Sequence, residues 1–177
     1  MSNTHKGCCC HGSGDTNHED QHSCGGCHGG HHQTEIQVSD EEIEFLKELA
    51  QTPYLPLARF VLKSSKSSHL ESVALAPVYL HDIDDSMETV KSMAAVLEAL
   101  ESKGLITLDY EEPLENGNYE DYSGSSLYAY FKETVAQAQG NDDFLFDIPN
   151  LEFGSIALTY LGQAAVESLD EQEDLLN

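Results

Sequence analysis

The first 34 residues of this 177-residue chain hold all five cysteines and seven of the nine histidines, interleaved with seven glycines. Glycine gives up the most conformational freedom on ordering, and a stretch without apolar runs buries too little to offset that cost. Any hydrophobic core must therefore come from the residues that follow. The chain divides into an arm over residues 1–35 and a domain over 36–177, and the latter, about 140 residues, has the size of one ordinary domain.

The arm is rich in ligands. Cys8-Cys9-Cys10 runs into His11, and Cys24-Gly25-Gly26-Cys27-His28 is followed by Gly29-Gly30-His31-His32. Two thiolates at the Cys24-x-x-Cys27 spacing grip one tetrahedral ion, with the glycines letting the backbone turn between them. A second pair drawn from Cys8, Cys9, Cys10 or His11 completes a four-ligand site by closing a loop of about fifteen residues at modest entropic cost. His28, His31 and His32 are substitutes for any of these. Redundant donors predict a flexible, multi-ion binder rather than one rigid site. Zinc fits mixed thiolate and imidazole donors most easily; nickel and copper also favour them, and affinity order does not choose among the three. The same residues allow other readings: a c-type haem attachment at Cys24-x-x-Cys27-His28, a dithiol redox pair, or a tail that takes up metal adventitiously. Haem attachment needs export, and the glycines oppose the helix that a reactive thiol wants.

The arm reaches no apolar run of secretory type, and no stretch approaches the length of a membrane span, so a cytoplasmic protein without membrane association is expected. In a reducing compartment clustered thiols serve metals or redox chemistry more often than disulfides. The formal charge is −24. Most of it belongs to the domain, where 7 basic residues meet 28 acidic ones, a net −21. Such a surface repels phosphate backbones and anionic lipid, and it favours a protein partner with a basic surface.

Within the domain, Ser39-Asp40-Glu41-Glu42 forms a capping box, and Ile43, Leu46, Leu49 and Ala50 mark the buried face of a helix ending before Pro53. A second short helix is expected from Pro56, carrying Leu57, Phe60 and Val61 and broken by the serine-rich run 63–68. Val73 to Leu80 reads as a strand that Pro77 confines to an edge. The clearest helix runs from Ser86 to Lys103, with Met87, Val90, Met93, Ala94, Leu97 and Leu100 on its inner face and Gly104 as its C-cap. A strand from Leu105 to Tyr110 follows, then an acidic loop, a helix from about Ser125, a strand over Gly154–Leu158 and a last helix from Thr159.

The run Val96 to Ile106, a helix turning through Lys103-Gly104-Leu105 into a strand, and the later Ala157-Leu158-Thr159-Tyr160-Leu161-Gly162 resemble the winged-helix family. The resemblance implies that the helix ending at Lys103 is the recognition helix and that the strands on either side of residues 111–153 are the wing. The fold class expected is thus α+β and mainly helical: a winged-helix-like domain with an enlarged wing holding an inserted helix, preceded by a disordered arm.

The family's usual nucleic-acid role meets an electrostatic obstacle. The inferred recognition helix sets Lys91 and Lys103 against Glu88, Glu98 and Glu101, follows Asp82, Asp84 and Asp85, and has no arginine to read a base edge. Arg59, Lys63 and Lys66 form the one basic cluster, explained most simply as a solvated loop. Enzyme signatures are missing as well: no phosphate-cradling glycine loop, G-x-S-x-G elbow or H-E-x-x-H helix occurs, so no catalytic activity is expected. His81 with Asp82, Asp84 and Asp85 reads as a capping turn before a hard-metal site. Tyr119, Tyr122, Tyr128 and Tyr130 fit a partner patch and internal packing equally. The function expected is that of a metal-binding protein acting through protein contacts, with the metal ordering the arm; the alternative is a metal-responsive winged-helix transcription regulator binding DNA as a homodimer.

Overall fold

The computed structural model describes residues 37–141 and 143–176. Helix α1, Asp40–Gln51, begins where the sequence places its cap: the Ser39 hydroxyl accepts from Glu42 N at 3.3 Å, and Glu42 Oε2 accepts from Ser39 N at 2.6 Å. Three acids in the first turn face the positive helix end. The buried face is rotated from the one expected, with Glu42, Phe45, Leu46 and Leu49 inside and Ala50 exposed.

The short helix expected from Pro56 does not form. Residues Tyr54–Ser64 are strand β1, which turns at 65–66 into strand β2, Ser67–Val78. Their apolar run is dense because β1 is central and covered on both faces, a pattern that spacing alone does not separate from a buried helix. Leu55 and Leu57 enter one core, while Ala58 and Phe60 enter another. Pro56 is tolerated because pairing with β2 starts only at Ala58, opposite Val78. The serine-rich run is the hairpin turn. Asp147 holds it, accepting from the Ser65 hydroxyl and from Ser65 N, and these bonds keep its carboxyl below the usual range.

The antiparallel sheet has the order β2-β1-β4-β3, with β3 at Ile106–Asp109 and β4 at Ile148–Leu158. Pro77 does lie on an edge strand. One side of the sheet carries α1, helix α2 at Met87–Ser102 and helix α5 at Tyr160–Leu176, packed through Leu46, Leu49, Leu97, Leu100, Ile156 and Val166. The other carries α3, Glu120–Gly124, and α4, Ser126–Ala138, around Phe60, Tyr122 and Leu127. Among the described residues the domain is thus α+β, with five helices and four strands, and helix exceeds strand.

The segment between β3 and β4 holds two helices where one was expected. Ser125 joins them, donating to Tyr122 O at 2.9 Å and accepting from Tyr128 N at 3.1 Å as the cap of α4. Tyr122 fastens this insertion to the sheet: its buried hydroxyl donates to Pro56 O at 2.8 Å, and burial raises the phenol's pKa. Tyr122→Phe leaves that carbonyl without its donor and is expected to cost about 1 kcal/mol of stability. Urea unfolding checks this; an unchanged midpoint would show that the bond contributes nothing.

At the far end of α2, Gly104 adopts φ 72°, and Leu105 N donates back to Leu100 O at 3.0 Å, closing the helix. The Thr159 hydroxyl reaches this turn, 2.6 Å from Gly104 O and 3.1 Å from Leu105 O, and accepts from Gly162 N at 3.0 Å. The two short segments that carried the family resemblance are therefore the two halves of one joint.

Candidate functional site

The expected metal ligands Cys8, Cys9, Cys10, His11, Cys24, Cys27, His28, His31 and His32 lie outside the described residues, as does the rest of the arm. Among the described residues no three His, Cys, Asp or Glu side chains gather closely enough to hold a metal ion. The His81 turn shows what its acids do instead. Asp85 Oδ2 accepts from the backbone amides of His81 at 2.8 Å and Asp82 at 3.1 Å, and Asp82 Oδ1 accepts from Asp84 N at 2.9 Å. These carboxylates shape the turn that leads into the Ser86 cap of α2.

Of the basic cluster, only Lys66 stands on an exposed loop, in the hairpin turn. Arg59 and Lys63 lie on β1, facing Glu152 of β4; Arg59 Nε and Nη2 each stand 2.7 Å from Glu152 Oε2, and Lys63 Nζ is 2.8 Å from Oε1. Lys63 and Arg59 hold the Glu152 carboxyl below its ordinary range, and Glu152 in turn raises Lys63. The Arg59 guanidinium also covers the Tyr110 ring at 4.7 Å. Burial pushes the Tyr110 phenol up to about 12, against the lowering effect of Arg59 and with a further push from Glu101 and Glu98. Elsewhere Lys103 binds Glu42 at 2.6 Å, and Lys132 lies over Tyr128 at 4.8 Å. Most of the domain's cations are therefore engaged within the molecule, and the surplus of carboxylates dominates its outer field.

A groove of about 450 Å³ lies between α1 and the first half of α2. Glu41, Glu44 and Glu48 form the α1 wall; Thr89, Ser92 and Met93 form the α2 wall; Phe45 and Val96 make the floor, and His81 closes one end. Steps of three and four put the three glutamates on one helical stripe. Glu48 Oε1 accepts from the Tyr79 hydroxyl at 2.8 Å, and its other oxygen is 3.9 Å from His81 Nε2. Burial, then Glu48, raises the Tyr79 phenol above its ordinary value, and the His81 ring stands edge-on to Tyr79 at 4.8 Å. Met93, read from its spacing as core, is half-buried at the groove's rim. The spacing of Glu41, Glu44 and Glu48 was visible in the sequence. Their neighbours across the groove were not, because α2 and His81 join them only through the fold.

The four tyrosines divide. Tyr119 donates to Gly154 O at 2.6 Å, Tyr122 is buried, and Tyr128 packs against Phe60 at 5.4 Å, so three serve the core. Only Tyr130 among these four, at 64% exposure, faces solvent.

No protein-family model matches the chain, and no curated protein does. A solved structure of an uncharacterized protein from the hydrocarbon-degrading marine bacterium Alcanivorax borkumensis SK2 is similar to 72% of this chain and 83% of its own, with 14% identity and a TM-score of 0.39. A likeness that slight assigns neither a family nor a function.

Proposed function

We propose that this chain is a metal-binding protein whose acidic, winged-helix-like domain works through contacts with a protein partner, while the arm takes up a transition metal, zinc in first place. The observation that carries the protein-contact reading is the disposition of charge: Arg59, Lys63 and Lys103 are held by internal carboxylates, and the unpaired acids face outward. The winged-helix reading is supported by α2 turning through Gly104 into β3, by the β3–β4 ladder, and by Thr159 and Gly162 at the start of α5. The β1–β2 hairpin departs from that fold, standing where a second helix of a helix-turn-helix would be. Arg59 and Lys63, the cations best suited to phosphate, are spent on Glu152, which weighs against duplex binding. No described helix is long and apolar enough to cross a membrane, and the thiol-rich arm fits a reducing, cytoplasmic setting.

Metal uptake by the arm would couple binding free energy to ordering of its residues. The test is elemental analysis of tag-free protein together with NMR of the arm during zinc and nickel titrations under reducing conditions. A near-integer metal content and shifted arm signals at micromolar metal are expected. Unchanged signals overturn the metal reading. A salt titration of duplex binding, with and without metal, decides against the DNA-binding alternative if no binding occurs at low salt.

A further inference from the structure

We infer that the groove between α1 and α2 docks a partner segment that presents two or three lysine or arginine side chains along one edge, with an apolar side chain among them; this rests on the protein-contact reading above. Charge complementarity selects the occupant. Glu41 and Glu44 are exposed, neither makes a hydrogen bond or ion pair among the described residues, and no lysine or arginine lines the groove. The opposite wall, Thr89 and Ser92, supplies hydroxyls and no opposing charge. Met93, half-buried on the α2 wall, gives the apolar surface on which the methylene stem of such a side chain can lie, while Phe45 and Val96 close the groove from beneath as part of the core.

The spacing of the acids and the net charge of the chain argue against two simpler occupants. Glu41 and Glu48 are seven residues apart on one helix, a rise of roughly 10 Å, so their carboxylates follow the wall instead of converging on a point ion. Glu48 is moreover already committed to Tyr79. A second copy of this chain, at a net charge of −24, would bring like charge to like charge. A basic amphipathic segment meets both conditions: its cations repeat along a line, and its apolar side chain packs on Met93.

The experiment uses the full chain and a fluorescein-labelled twelve-residue peptide of lysine and leucine in amphipathic order, at low salt to limit screening. The variants are Glu41→Gln with Glu44→Gln, and, as a control with the same change of charge on a distant loop, Glu112→Gln with Glu115→Gln. The first pair is expected to weaken binding about tenfold, the second less than twofold, and amide shifts caused by the peptide should centre on Thr89, Ser92 and Met93. A peptide in which glutamate replaces lysine should not bind. Equal affinity for both double variants, or shifts centred on other residues, overturns the groove and leaves the protein-contact reading standing. Failure of every peptide to bind at low salt overturns both.

Discussion

Lys103→Met should lower the unfolding free energy of the domain by about 3 kcal/mol at neutral pH, the lower end of the range for breaking a buried ion pair, because the ammonium retains some solvent. Glu42 sits under α1 with 4% of its surface exposed. Both carboxylate oxygens lie 2.6 Å from Lys103 Nζ, and Oε2 also accepts from Ser39 N. Methionine keeps most of the lysine stem but leaves a buried charge with only its backbone partner. The pH dependence separates this account from a packing defect. Burial works against the Glu42 charge, yet the Lys103 bond and the Ser39 amide outweigh it, so the folded pKa is lowered. The pair's contribution is then complete above the unfolded carboxyl value of about 4.3 and disappears as pH falls through the lower folded value. Without the ammonium, burial dominates and the folded pKa rises. The variant's deficit should therefore be largest at pH 7 and shrink as Glu42 takes up a proton. Urea unfolding at pH 7 and pH 4 measures both quantities. A deficit under 1 kcal/mol at pH 7, or one that does not change with pH, would sink the argument, and adding Glu42→Gln to Lys103→Met should restore part of the loss.

This pair also marks the boundary of what the sequence makes legible. Ser39 and Glu42 announced themselves as a capping box because the signal lies within four residues, and the same is true of Ser86, Gly104 and Thr159 at the other helix ends. That Glu42 would also be buried against Lys103, sixty-one residues away, has no local signature. β1 failed for a different reason. A central strand covered on both faces loses the alternation that identifies strands, so Leu57, Phe60 and Val61 read equally well as a helical stripe. Its register then placed Arg59 opposite Glu152, which drew Arg59 and Lys63 out of the supposed solvated cluster into an ion network on the sheet. The groove was half legible. Its acidic wall follows from helical spacing on α1, but Met93 and His81 became part of it only when α2 and the end of β2 packed alongside.

Gly162→Ala, a single added methyl group, is expected to lose about 2 to 3 kcal/mol, as other overpacked sites do. A Cβ at this position would stand 2.0 Å from Leu105 O and 3.0 Å from the Leu105 carbonyl carbon, both backbone atoms. Leu105 O cannot withdraw without cost, because it accepts from Thr159 N at 3.0 Å and faces the Thr159 hydroxyl at 3.1 Å. The first turn of α5 must then move off the β3 edge, stretching both bonds at once. Gly104→Ala provides the comparison. Its Cβ would meet nothing within 4 Å, so only the left-handed φ of 72° opposes it, at about 1 kcal/mol. Thermal unfolding should accordingly rank Gly162→Ala well below Gly104→Ala, with a fall in Tm of roughly 8 °C for the former. Equal midpoints for Gly162→Ala and the unaltered protein would mean that α5 is not seated on the α2–β3 turn. The ranking matters for the winged-helix resemblance, since it tests whether the glycine of the Thr159–Gly162 segment is there for close approach of two backbones, which is a physical reason for the motif independent of any family.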